Sequence, residues 1–444
     1  MTVGALVLVT VIGGGPSTAA ADDGRRIVDV QLPNGICDLP LLGQVQQLIS
    51  LIPGVKVLHV LPFICALGVQ LNLGILDSLV QTLLGTLGVQ AVYYDPLAAL
   101  ALVDQISQAT TSPEDYDWGM DQIFVPDVHN DGLQGAGVPV AIVDSGIETS
   151  HPEFAKKIRA GFNASSDEGG GCNGGASLGV YKDNHGHGTH MAGIVAAAMN
   201  GGQGMIGAAP QADLWVVKAL NKNAQTHLSD FVCGLQWVYD RDVYLINMSV
   251  GFWNDKVLLR RAIEQLHRKG VLMVAAAGNH GTGSDPSCVS GYEGGGIDDG
   301  GGDGEEETSC DPSSVDVMYP AKYQSWVIGI AATNYNSGNN PKKTRITYYS
   351  RYGPEIAVAA PGGEQNGQRI YSTRLGPSYG FGSGTSQAAA HVTGVIALAL
   401  NKTPDLTVQQ ARNALQATAW DLGYSGLLQN VKLINALKFM ESLP

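Results

Sequence analysis

Charge is scarce in this sequence of 444 residues. Asp, Glu, Lys and Arg make up 15% of it, and 26 basic residues face 40 acidic ones, for a formal net charge of −14. The shortage of basic residues excludes a broad electrostatic grip on phosphate backbones, so nucleic acid is not an expected partner. The six cysteines, at 37, 65, 172, 233, 288 and 310, include no C-x-x-C pair, which removes the zinc-knuckle pattern. Residues 57–76 lack Asp, Glu, Lys and Arg, but His59, Pro62, Gln70 and Asn72 interrupt them. They read as buried core, and no membrane association is expected. No repeat of 20 to 50 residues is visible.

Glycine is abundant instead, with 58 residues beside a 44% hydrophobic share. That composition fits a globular chain with a sizeable core, tight turns and long surface loops. Residues 3–12 are apolar and are followed by Pro16 and Ala19-Ala20-Ala21, so residues 1–21 are expected to be a secretion signal, although no Lys or Arg precedes Arg25. An even cysteine count in a secreted chain permits disulfides. Cys288 and Cys310 bracket a glycine- and acid-rich loop that a bridge would clip, and that pair is the favoured one. The acidic stretch 291–307 matches no 12-residue calcium loop and reads as a solvated loop.

Two units are expected. Between about 25 and 103 the chain is rich in Leu and Val, with strands at "VKVLHVLP" and "CALGVQLN", an amphipathic helix over 73–88 and a last strand at "VQAVYYDP". The polar run 104–117 has the composition of an exposed linker. Beyond Trp118, strand candidates at 138–144, 212–220, 243–250, 271–279 and 325–333 alternate with helices at 230–241 and 256–270. Alternation of this kind implies an α/β fold, a mostly parallel sheet with helices on both faces. Sites in such sheets form at the carboxyl ends of the strands.

"NHGHGTHMAG" holds His185, His187 and His190 within six positions. As H-x-H-x-x-H it suggests a metal-dependent hydrolase, but Thr189 stands where that pattern needs an Asp ligand, and no second ligand cluster is recognisable. The alternative is a serine protease, which needs a hydroxyl, a base, an orienting carboxylate and oxyanion donors. Asp144 ends the apolar run "VPVAIVDSG", Ser386 stands just ahead of an Ala- and Val-rich helix, and Asn279 follows the buried run "VLMVAAAG". Taken singly, each has a plain structural reading as turn starter, N-cap or loop residue.

Together, D-S-G, H-G-T-H, A-A-G-N and G-T-S-x-A-A in this order resemble the subtilisin-like serine proteases, the subtilases, over roughly residues 118–440. The resemblance implies Ser386 as nucleophile, His187 as general base and then acid, Asp144 as orienting carboxylate, and Asn279 with the Ser386 N–H as oxyanion hole. It further implies that Ser249, Val250 and Gly251, with Ala276, Ala277 and Gly278, bind the substrate backbone and wall the primary pocket, with Leu228 at a hydrophobic subsite.

The same resemblance casts residues 22–112 as a small α+β propeptide that inhibits and chaperones a peptidase domain at 113–444, with cleavage in the linker. The expected product is a secreted, monomeric endopeptidase acting on proteins and peptides with broad, mostly hydrophobic preference. It needs no cofactor for catalysis, and any structural Ca²⁺ cannot be located. Transpeptidation on the same fold is the alternative reaction. Gln387 and Ala390 depart from the family pattern, Phe252 is expected to narrow the pocket mouth, and loops around 164–180 and 283–313 are longer than usual.

Overall fold

The computed structural model describes residues 24–30, 37, 39–71, 91–99, 106–172, 180–279, 316–336, 343–364, 367–424 and 431–444. The expected signal, the 73–88 helix, the acidic loop and the Cys288–Cys310 pair lie outside the described residues.

The N-terminal unit contains β1 (Arg25–Asp29), β2 (Val55–Leu61), β3 (Ala66–Leu71) and β4 (Ala91–Tyr94), joined as an antiparallel sheet in the order β2-β3-β1-β4. A helix at Leu39–Ser50 buries Leu42, Val45 and Ile49 against it, an i, i+3, i+7 stripe. The expected strand-strand-helix-strand order therefore needs correction, because β1 and this helix come first. The charged ends of β1 hide it from a pattern search. Arg25 and Asp29 are nevertheless buried, each held by a partner on the larger unit: Arg25 Nη2 by Asp167 at 2.5 Å, and Asp29 by Arg261 Nη1 at 2.9 Å.

Three short strands follow: β5 (Leu97–Ala99), β6 (Ser107–Ala109) and β7 (Asp115–Tyr116). Thereafter come β8 (Pro139–Asp144), β9 (Ile158–Asn163), β10 (Met205–Ile206), β11 (Asp213–Lys218), β12 (Gln225–His227), β13 (Leu245–Met248), β14 (Leu272–Ala276), β15 (Ile328–Thr333) and β16 (Ile356–Pro361). The last are β17 (Ile370–Arg374), β18 (Ser378–Gly382), β19 (Trp420–Asp421) and β20 (Lys432–Leu433). Nine of them form one sheet, ordered β19-β20-β16-β15-β14-β13-β8-β11-β9, parallel except where β19 meets β20.

Both faces of this sheet are covered, as its continuous apolar strands require. Along β8, Val140 and Ile142 enter one core, shared with the helices His187–Ala196 and Thr385–Lys402. Ala141 and Val143 enter the other, beneath the helices Leu228–Tyr239 and Val257–Arg268. Among the described residues no helix is long and apolar enough to cross a membrane.

The polar stretch 104–117 is largely exposed where it is described, yet it is tied down. β6 pairs antiparallel with β18, Ser107 opposite Phe381, and β7 pairs with β10. Just upstream, β5 pairs antiparallel with β12, Ala99 opposite Gln225. Among the described residues, two disulfides join Cys37 to Cys65 and Cys172 to Cys233.

Candidate active site

Three neighbouring strands of the sheet, β14, β13 and β8, end at one rim. Asp144 is the last residue of β8 and is fully buried. Its two carboxylate oxygens lie 2.8 and 2.9 Å from His187 Nδ1, at the first position of the His187–Ala196 helix. With the carboxylate as acceptor, Nδ1 carries the hydrogen, and Nε2 is the nitrogen left for proton transfer.

The approach depends on Gly188. A Cβ there would lie 2.2 Å from the carbonyl oxygen of Gly146, whose φ is +109°. Glycine at both places lets the helix start close on the turn after β8.

Asp183, which the sequence reading did not single out, clamps the same two pieces. It accepts from Ser145 Oγ (2.9 Å), the N–H groups of His185 (2.9 Å), Gly186 (2.8 Å) and Thr189 (2.9 Å), and Thr189 Oγ1 (2.7 Å). Burial pushes its carboxyl up, but the hydrogen bonds from Thr189, Gly186 and His185 outweigh it and hold the group below the usual carboxylate range. The signal was an Asp three residues before the glycine that opens a helix.

The three histidines have separate places. His185 is half-buried with its ring centroid 6.4 Å from that of His187, and burial, then the nearby His187, lowers its pKa. His190 is fully buried, and burial, then the nearby His187, pushes it down to about 3. The cluster that does gather metal-capable groups is elsewhere among the described residues, at His59, Cys172 and Cys233, and there the two sulfurs are joined to each other.

Ser386 is the second residue of the Thr385–Lys402 helix, where unpaired N–H groups and the positive dipole end favour developing negative charge. This helix packs on the one that begins at His187. The Ser386 hydroxyl donates to the Ser249 carbonyl at 3.4 Å and has no hydrogen bond to His187. Asn279 Oδ1 accepts from Thr385 N–H at 2.8 Å and Thr385 Oγ1 at 2.7 Å, which assigns the opposite end of the amide as the NH₂ donor.

Ser249, Val250 and Gly251 leave β13, and Ala276 and Gly278 leave β14. They line one recess together with Asn279, Met318 and Ser386. Ala277 sits behind it, its N–H donating to Ile330 O and its carbonyl accepting from Met318 N–H. Leu228 is away from the recess, buried at the start of its helix, with its N–H donating to Pro96 O beside β5. Phe252 does not narrow the pocket mouth. It is buried on the core side against Phe231, ring centroids 5.6 Å apart.

A strand-end carboxylate holding an imidazole, at the same rim as a helix-start serine, defines an α/β serine hydrolase. Comparison with known proteins takes the assignment further. The Subtilase family pattern matches residues 135–432, and the chain belongs to that family. An alkaline protease of Alkalihalobacillus alcalophilus is 31% identical over 348 residues, 78% of this chain and 75% of that protein. A thermostable alkaline protease of Halalkalibacterium halodurans is 34% identical over 313 residues, 70% of each chain. Subtilisin E of Bacillus subtilis is 33% identical over 331 residues, 74% of this chain and 72% of that one. The protein is a subtilisin-like serine endopeptidase.

Proposed function

We propose that Ser386 is the nucleophile, His187 the general base and then acid, Asp144 its orienting carboxylate, and Asn279 with the Ser386 N–H the oxyanion donors. The observation that carries this is the buried pair of contacts from His187 Nδ1 to Asp144, which fixes the tautomer a base needs. Ser386 Oγ gives up its proton to Nε2 as it attacks a peptide carbonyl. The amine then leaves with that proton, and water resolves the acyl-enzyme. The hydrogen bond between serine and imidazole is left to the substrate complex, as is common in unliganded sites.

The chain is further proposed to be a secreted precursor whose N-terminal unit inhibits the peptidase. Supporting this, β5 lies antiparallel on β12 as an added strand, the way an extended substrate would bind. His59 on β2 gives a buried 2.6 Å contact to Asp230, and Asp95 accepts from Ser229 N–H. The pairings of β5 and β6 on opposite sides of residues 100–105 favour a cut there, upstream of the boundary at 112 that the resemblance implies. Secretion is supported by the two disulfides.

A fluorophosphonate probe tests the catalytic reading. Labelling of processed protein at Ser386, lost in Asp144→Asn, is expected, and no labelling at neutral pH would remove it. Mass spectra of products formed with an added amine distinguish hydrolysis from peptide transfer.

A further inference from the structure

We propose that Met318 fills the slot beside Ser386, so that the enzyme accepts only a small side chain on the residue whose carbonyl is attacked, and that the precursor is consequently cut after Ala101. This rests on the catalytic reading above.

The recess next to the nucleophile is bounded by the segment after β13 and the end of β14. Gly251 and Gly278 both line it with bare Cα atoms, so a side chain entering the recess would need the space beside them. That space is already taken. A Cβ at Gly251 would meet Met318 Cβ and Cε at 2.9 Å, and one at Gly278 would meet Met318 Sδ at 2.7 Å and Cγ at 2.8 Å. The thioether therefore lies against both glycines at once.

Backbone bonds hold it there. Met318 N–H donates to Ala277 O at 3.0 Å, behind one wall, and its neighbour Tyr319 exchanges N–H···O bonds of 2.9 and 2.7 Å with Phe252, beyond the other. Met318 is 4% exposed, so its side chain is a packed floor. What remains open suits alanine and not an aromatic or long aliphatic group, in contrast to the mostly hydrophobic preference expected from the sequence.

The precursor's own sequence meets this restriction at one position. Between β5 and Ile106 it reads Leu100, Ala101, Leu102, Val103, Asp104, Gln105, and Ala101 is the one small residue. In the cut, Ser386 Oγ bonds to the Ala101 carbonyl carbon as its proton passes to His187. The Ala101–Leu102 C–N bond then breaks, with that proton delivered to the Leu102 nitrogen. Water then hydrolyses the ester to free the Ala101 carboxylate and regenerate Ser386.

Two measurements on the full chain test this. The first is N-terminal sequencing of the wild-type product, beside processing of Ala101→Phe and of Ala101→Phe with Met318→Gly. A product starting at Leu102, an uncut single variant and a cut double variant are expected. A different start, or normal processing of Ala101→Phe, overturns the proposal.

The second is kcat/KM of the processed wild type on two peptide p-nitroanilides ending in Ala or Phe. One misfit methylene in a pocket is worth roughly 10–200-fold, so a preference for Ala of at least about 10² is expected. Met318→Gly, or Met318→Ala should the glycine variant not fold, raises the Phe rate relative to Ala. Equal or better cleavage after Phe by the wild type, with Ser386 still labelled by fluorophosphonate, overturns this proposal alone. No labelling and no hydrolysis of either peptide removes the catalytic reading and this proposal with it.

Discussion

Asn279 and Thr385 hold each other across the rim of the recess: one side-chain oxygen of Asn279 accepts both the backbone N–H and the hydroxyl of Thr385, at 2.8 and 2.7 Å. The amide cannot turn over without losing both bonds, so its NH₂ group has one orientation. Asn279→Ala is expected to lower kcat by about 10²–10³ with KM nearly unchanged, the usual consequence of losing one oxyanion donor. Thr385→Val keeps the N–H and loses the hydroxyl, and a smaller fall of roughly tenfold is expected. Steady-state kinetics on one peptide substrate check both, and unchanged turnover in Asn279→Ala would take the residue out of the site.

Asp144→Asn should preserve the fold and lower kcat by about 10⁴, because an amide stabilises the wrong imidazole tautomer. Circular dichroism with kinetics separates this from unfolding. A loss below tenfold would count against the assigned role.

Removing the Cys172–Cys233 bridge by a double alanine substitution should cost about 4 kcal/mol on the chain-entropy estimate for its 61-residue separation. Denaturant titration of the processed enzyme reads this directly. Unaltered stability would mean that the bridge does not form in the native protein.

Acid should destabilise the fold through its buried histidines. Burial lowers His391 to about 4, with Nδ1–H donating to Gln387 O at 2.9 Å, whereas an unfolded histidine titrates near 6.5. The stability associated with the neutral ring is present above pH 6.5 and is lost as pH falls toward 4, to about 3 kcal/mol at most. His190 acts in the same direction. Asp117, pushed up to about 7 by burial, opposes them. Tm measured between pH 7 and 4 should fall less steeply in His391→Gln, and an identical slope would contradict the assignment.

Much of the peptidase unit was legible because its strands are continuous apolar runs and its chemical residues follow them directly. Runs at 138–144 and 271–279 became β8 and β14, with Asp144 and Asn279 at their carboxyl ends. β9 escaped notice because Arg159 and Asn163 break its apolar pattern in the outermost strand of the sheet. The first strand of the N-terminal unit was hidden by Arg25, Arg26 and Asp29, and the ion-pair partners of Arg25 and Asp29 lie far along the chain. Met318 was illegible for the same reason: it packs against two glycines 67 and 40 residues earlier, and no local pattern records that approach.

The two disulfides divide between the units: Cys37 and Cys65 close a loop inside the N-terminal one, and Cys172 and Cys233 close another inside the peptidase. Since Cys37 and Cys65 are spent on each other, any bridge between Cys288 and Cys310 would also stay on the peptidase side. If the connecting peptide is cut as proposed, neither disulfide among the described residues ties the halves together. On the proposed precursor reading, inhibition would then pass from an intramolecular equilibrium, indifferent to concentration, to a bimolecular one ruled by mass action, and dilution alone would become an activating condition.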